Sequence, residues 1–226
     1  MIRAVFFDVD QTLVDFDAAA LRAHAALFGD GDGYRLWCEL TPQFWPLFTD
    51  GELSFDEMRA ARMARYLELS GSACRDGALM ENRRWALVEE SFQIFDDVQP
   101  CLDALRRCDL VLGVITNNES VHQRRKLVTV GLADAFDAVV ISGEVGVAKP
   151  DPAIFALACD RLEVAPAEAL HVGDLLDTDA RAAQAAGLTG VWLDRLELNE
   201  GTADVPVISS LDALPELVGT AWPVHD

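Results

Sequence analysis

Two aspartates two residues apart, Asp8 and Asp10, end the apolar run Ala4 to Phe7 in the stretch AVFFDVDQTL. Side chains at that spacing share one face of an extended strand, so both carboxylates can address a single site. Like charges that close repel unless a cation is shared or one carboxyl keeps its proton. Taken alone, the pair also fits a solvated loop after an edge strand.

Three further stretches carry groups of complementary chemistry. The run Leu110 to Ile115 stops at Thr116-Asn117-Asn118, where a hydroxyl, an amide and nearby backbone N–H groups suit phosphoryl oxygens, although such a stretch is also a common turn. A loop after Ala138 to Ile141 leads to Lys149-Pro150-Asp151-Pro152, with Pro152 as a first-turn helix residue. The chain has only two lysines, Lys126 and Lys149, against sixteen arginines, so a lysine kept in this loop points to a need for a compact point charge. Finally, His171-Val172-Gly173-Asp174 is followed by Asp177, Thr178 and Asp179 and by a helix of alanines closed by Gly187. Glycine permits close backbone approach, and Asp174 and Asp179 offer hard oxygen ligands of the kind Mg²⁺ prefers. Asp177 or Thr178 can serve as an N-cap without weakening that role for Asp174. His171 reads as a packed strand-end residue.

The elements that must position these groups are buried strands rich in β-branched residues: Ala4 to Phe7, Leu110 to Ile115, Ala138 to Ile141, Ala169 to Val172 and Gly190 to Leu193. Helical patterns at Val121 to Val130 and Pro152 to Leu162 separate the later ones, which predicts repeated βα units and a doubly wound, Rossmann-like parallel sheet. Residues 15–96 contain helical patterns only, with many aromatics, and a capping box at Ser54-Phe55-Asp56-Glu57. The expected organisation is an α/β core of residues 1–14 and 98–226 with a smaller all-helical domain, 15–97, inserted through the polar edges Asp15 to Asp17 and Asp96 to Gln99.

Composition narrows the function classes. A formal charge of −20 lacks the basic footprint that nucleic acid or an anionic membrane requires, so any anionic ligand must be met by local cations. The longest apolar run falls far short of a membrane span, and Asp8 interrupts the N-terminus before a signal peptide could form, so a cytoplasmic location is expected. Five cysteines (Cys38, Cys74, Cys101, Cys108 and Cys159), without a C-x-x-C pair, suggest neither disulfides nor zinc.

In an open α/β sheet, ligands bind beyond the carboxyl ends of the strands where strand order reverses. Three strands here end in acid or hydroxyl groups and a lysine follows a fourth. In order and content the set D-x-D-x-T, T, K-P and G-D-x-x-x-x-D resembles the haloacid-dehalogenase-like superfamily, with the helical block standing where that family inserts its cap. Gln11 departs from the Gly or Asn common in its slot.

The resemblance implies a Mg²⁺-dependent phosphomonoesterase acting on a small phosphorylated metabolite, of nucleoside-monophosphate or sugar-phosphate type, through an aspartyl-phosphate. Asp8 is then the nucleophile and Asp10 the acid and base. Mg²⁺ would be held by Asp8, the backbone carbonyl of Asp10 and Asp174, with Asp179 binding directly or through water. Thr116 and the Asn117 amide would grip the phosphoryl group, and Lys149 would restrain Asp8 and offset charge. Dehalogenating members lack the second aspartate and bind no Mg²⁺. Alternatives within reach are a phosphomutase of the same superfamily and a non-catalytic phosphate-binding regulatory protein; a phosphonate-cleaving member would want a lysine in the helical block, which has none. A monomer or homodimer is expected. In that block, Arg59, Arg62 and Arg65 read as a solvated helix face and the aromatics as core.

Overall fold

The computed structural model of the chain describes residues 1–29, 33–199, 201 and 203–219; His225 and the rest of the C-terminal stretch lie outside the described residues. The chain forms two compact units, Met1–Asp15 with Gln93–Asp226, and Phe16–Phe92.

The first unit is an α/β sandwich. Its strands are β1 (Ala4–Phe7), β2 (Val111–Thr116), β3 (Ala138–Ile141), β4 (Ala169–Gly173), β5 (Thr189–Leu193) and β6 (Val207–Ile208). They form one sheet in the order β3-β2-β1-β4-β5-β6, and every pairing is parallel. β1 lies between β2 and β4, with Phe7 opposite both Val114 and Val172. All four of its residues have no solvent exposure, which is why a two-sided buried strand reads as an unbroken apolar run. On one face Phe6, Ile115 and Val140 pack with Ile154, Phe155 and Ala158 in a single core. The sheet progresses one way from β1 through β2 and β3 and the other way through β4 to β6, so the reversal falls at the carboxyl end of β1.

In chain order the helices are α1 (Phe16–Phe28), α2 (Gly33–Thr49), α3 (Phe55–Leu69), α4 (Gly77–Glu90), α5 (Val98–Arg107), α6 (Ser120–Thr129), α7 (Ser142–Val145), α8 (Pro152–Arg161), α9 (Ala182–Ala185) and α10 (Leu214–Gly219). The first four make up the second unit. The expected strands are all present within a residue or two. β6 was not foreseen, since two residues carry no periodic signal. The expected helix of alanines is mostly a π-helical turn, Leu176–Arg181, with only α9 following it. That turn is pressed against β5: a side chain at Gly190 would meet the Ala180 carbonyl oxygen at 1.9 Å, so glycine alone permits the packing.

In the helical unit, Ser54 caps α3 as the sequence predicts: its backbone N–H donates to Glu57 Oε2 (2.9 Å) and the Glu57 N–H donates back to Ser54 Oγ (3.3 Å). Trp37, Leu40, Met63, Tyr66 and Leu67 form the core, so these aromatics are packing groups. The solvated-face reading of the α3 arginines is wrong for two of three. Arg59 and Arg62 are buried and share Glu81 of α4 with Arg84, whereas Arg65 is exposed and pairs with Glu68. Burial alone would raise the Glu81 carboxyl, and the three guanidinium groups around it reverse that and hold it below its usual range. The Arg62 and Arg84 guanidinium groups both lie over the Trp37 ring, 4.2 and 4.4 Å from its centre. Spacing on α3 shows which arginines share a face; the carboxylate and rings that bury them come from other helices.

Candidate active site

Asp8 is the first residue past β1, and its N–H is bound by the Val172 carbonyl (2.9 Å), which fixes it at the reversal of strand order. Its Oδ1 accepts from Lys149 Nζ at 2.7 Å. That ammonium also donates to the Ile115 carbonyl (2.9 Å) and to Asp179 Oδ1 (2.5 Å), which uses all three of its N–H bonds. Asp179 further accepts from His171 Nε2 (3.1 Å) and from the Leu175 N–H (3.0 Å). Burial holds His171 below its usual range, so it is a neutral imidazole. Because Asp179 can only accept, the proton is assigned to Nε2. His171 is packed, as expected, but it also orients the acid that orients Lys149. A side chain at Gly173 would meet Asp179 atoms at 2.3 to 2.6 Å, so glycine before Asp174 is what lets Asp179 come underneath.

Carboxylate oxygens of Asp8, Asp174 and Asp179 lie within 4.8 Å of one another. Three carboxylates against one ammonium leave an excess of two negative charges. Burial, opposed by Lys149 and reinforced by Asp179, pushes Asp8 up to about 6. Burial, then repulsion from Asp8 and Asp179, pushes Asp174 up to about 8. Asp179 goes the other way: burial would raise it, but Lys149 and His171 hold it well below the usual carboxylate range. Burial likewise opposes the charge on Lys149, yet Asp179 and Asp8 keep it protonated far above neutrality. A hard divalent cation fits this donor set, since it would relieve crowding that protonation otherwise must.

Asp10 stands in a second cluster. Lys126 Nζ contacts its Oδ1, while Asn118 Nδ2 (3.2 Å) and Gln123 Nε2 (3.3 Å) donate to its Oδ2. Gln123 Nε2 also donates to Thr116 Oγ1 (2.9 Å), which joins Thr116 to Asp10. Asn117 serves neither carboxylate with its side chain: Nδ2 donates to the Lys149 carbonyl (2.7 Å) and Oδ1 accepts from the Lys149 N–H (2.8 Å). That clip sets the Lys149 backbone and occupies the Asn117 side-chain amide.

Of the residues singled out in the sequence, Asp8, Lys149, Asp174 and Asp179 thus meet directly, and Asp10 and Thr116 meet through Gln123. Asn118, Gln123, Lys126 and the orienting part played by His171 were missed. A signal for one of them was present: the scarcity of lysine that marks Lys149 applies equally to Lys126, which is 1% exposed. At Gln11 the backbone φ is +61°, the reason its slot suits Gly or Asn, and a glutamine there costs about 1 kcal/mol of strain.

The model of the haloacid dehalogenase-like hydrolases matches residues 2–187. The putative hydrolase YfnB of Bacillus subtilis is 30% identical over 199 residues, covering 85% of this chain and 84% of that one. Its magnesium-bound crystal structure superposes with a TM-score of 0.82 at 27% identity, over 97% of this chain and 99% of the other. N-acylneuraminate-9-phosphatase of Mus musculus is 30% identical, covering 96% of this chain and 94% of its own. Phosphoserine phosphatase of Thermus thermophilus is 44% identical over 104 residues, a match to 46% of this chain that spans only 42% of the relative. No helix among the described residues is long and apolar enough to cross a membrane. With the sheet, the order of its polar strand ends and these relatives in agreement, the chain belongs to the haloacid dehalogenase-like hydrolases.

Proposed function

We propose that the chain is a Mg²⁺-dependent phosphomonoesterase for a small phosphorylated metabolite, of nucleoside-monophosphate or sugar-phosphate type, and that the helical unit is a cap that selects the substrate. The observation that carries this reading is the Asp8 carboxylate, held by a buried ammonium at the sheet's reversal point, with a second aspartate, Asp10, held separately two residues on. The phosphatases among the relatives support the phosphoester class, and the retained Asp10 weighs against dehalogenation.

In the first step an Asp8 oxygen attacks phosphorus, the ester P–O bond breaks, and Asp10 gives its proton to the departing oxygen. In the second, water attacks the aspartyl-phosphate, Asp10 takes the water proton, and the bond to Asp8 breaks to release inorganic phosphate. Lys149 keeps Asp8 oriented and offsets charge that grows on the phosphoryl oxygens. Thr116 Oγ1 and the Asn117 backbone N–H hold that group, and Gln123 fixes the Thr116 hydroxyl. Asp8, Asp174 and the Asp10 carbonyl would hold Mg²⁺, with Asp179 at the edge of the set. Bound there, the ion supplies Lewis-acid charge neutralisation. A phosphate-release screen over nucleotides, sugar phosphates and small phosphoesters, with and without Mg²⁺, tests the reading. Metal-dependent release from at least one class is expected, and folded protein inert toward all of them would sink it.

Titration of the acids gives an independent check. A carboxyl whose folded pKa lies above its unfolded value binds its proton more tightly in the folded state, so it loses stability as pH rises through that interval. For Asp8 the interval runs from 3.8 to about 6, and for Asp174 from 3.8 to about 8. Asp179, depressed, and Lys149, raised, contribute a constant amount across pH 5 to 8. His24 and His171, both depressed mainly by burial, add stability as pH rises over part of the same range whether or not the ion is bound, so the acids are read through the ion: Mg²⁺ should raise Tm more at pH 8 than at pH 5. Thermal melts with and without the ion decide this; an equal shift at both pH values contradicts it.

A further inference from the structure

Arg195, just beyond β5, joins two stretches of the α/β unit with one planar group. Its Nε donates to the Gln11 carbonyl (3.3 Å) and its Nη2 to the Thr12 carbonyl (2.9 Å). On its other edge Nη1 and Nη2 form a two-point pair with Asp97, at 2.8 and 3.0 Å. The guanidinium carbon lies 3.9 Å from the centre of the Phe95 ring. Asp97 is itself fixed by Ser210 Oγ and the Leu211 N–H, both at 2.9 Å. The two stretches so joined also pair through backbone, Phe95 N–H to Leu13 carbonyl at 3.1 Å and Asp15 N–H to Gln93 carbonyl at 3.0 Å.

The acceptors are the two carbonyls that directly follow Asp10. Gln11 occupies the left-handed region, which a glutamine side chain disfavours, and the Arg195 contacts add to the backbone bonds within the turn, Gln11 N–H to the Val14 carbonyl and the Leu13 and Val14 N–H groups to the Val9 carbonyl, in holding that shape. The planar fork makes four bonds from three separate nitrogens, to two carbonyls and both oxygens of a carboxylate, whereas a lysine has three N–H groups on a single nitrogen. We propose that Arg195 is a positioning residue for Asp10: by gripping the Gln11 and Thr12 carbonyls and anchoring them to Asp97, it sets where the acid–base carboxylate stands. This rests on the assignment of Asp10 to proton transfer. Misplacing a reacting group by about 1 Å can cost 100-fold in rate, so the restraint acts on kcat.

The experiment compares Arg195→Ala and Arg195→Lys with the wild type in phosphate release, using whichever ester the screen identifies. Both variants should lose roughly 10- to 100-fold in kcat with KM little changed. The open cleft beside Arg195, about 530 Å³ and lined in part by Phe95, Asp97 and Ser210, gives a small cation access. Millimolar guanidinium should therefore restore much of the kcat of Arg195→Ala but not of Arg195→Lys. Hydrogen exchange gives a readout without turnover: the Leu13 and Val14 amides, both bonded to the Val9 carbonyl at 2.9 Å, should exchange faster in the variants while those of β4 do not. If Arg195→Ala fails to fold, Arg195→Lys decides. Wild-type kcat in the folded variants, or a rate loss that only tracks the unfolded fraction and ignores guanidinium, overturns the positioning role. Asp8→Asn assayed alongside separates the two levels. Full activity there refutes the nucleophile, whereas an inactive Asp8→Asn beside fully active Arg195 variants refutes only the restraint.

Discussion

Asp8→Asn should lower phosphate release by at least roughly 1000-fold while leaving the fold as stable as before, or more so. The first half follows from chemistry: an amide cannot make the bond to phosphorus that a carboxylate makes, and two of the neighbouring acids are committed elsewhere. Asp10 is bound by Lys126, Asn118 and Gln123, and Asp179 by Lys149, His171 and the Leu175 N–H. The second half follows from electrostatics. Burial and Asp179 push Asp8 up to about 6 even with Lys149 beside it, so its ionised form, though favoured at neutral pH, is less favourable in the folded chain than in the unfolded one. An asparagine removes that charge and eases Asp174, while Lys149 keeps its contacts with Asp179 and the Ile115 carbonyl. Thermal melts at pH 8 without Mg²⁺ should show an unchanged or higher Tm, and the Mg²⁺-dependent rise should shrink. Phosphate release near the wild-type rate would refute the nucleophile, and a large drop in Tm would refute the account of the charges.

Lys149→Met should fail in both respects. The side chain is 2% exposed and its ammonium is the shared partner of Asp8 and Asp179, so methionine leaves two buried carboxylates facing each other and Asp174 with no cation. Removing one partner from a buried ion pair costs about 3 to 5 kcal/mol, because the charge left behind is uncompensated. Denaturant titration at pH 8 without Mg²⁺ should find a loss of that size, reduced at lower pH as the acids take up protons. Phosphate release should fall as well, since Asp8 loses its restraint. Lys149→Arg is not a remedy. Three acceptors converge on a single nitrogen here, and a planar fork cannot reproduce that arrangement. A Lys149→Met protein as stable as wild type at pH 8 would mean that the acids are neutralised by something other than this ammonium. Opposite stability changes at two residues 2.7 Å apart are a demanding outcome.

Much of this was legible before any coordinates. β1 is buried on both faces, so its four residues had to be apolar, and the abrupt change to Asp8 marks its carboxyl end without ambiguity. The same logic located Thr116, the loop of Lys149 and the Gly173-Asp174 pair, because a parallel strand announces its end by where apolar residues stop. The capping box of α3 was readable for a similar reason: both partners lie within one turn.

What could not be read is which side chains meet across those ends. Asp10 and Lys126 are 116 residues apart, Asp8 and Lys149 are 141 apart, and Arg195 reaches back 183 residues to Thr12. Nothing in local spacing records such pairs, as the α3 arginines illustrate: three cations at equal intervals, two buried on Glu81 and one in water. By itself the sequence determined the kind of sheet, the strand ends and the acids that stand on them, since burial and backbone geometry act within a few residues. Only the tertiary structure decided that Asp179 supports Lys149, that Lys126 and Gln123 hold Asp10, and that Arg195 grips the turn behind it. Hydrogen bonds and charges select partners by distance in space, and folding alone sets that distance.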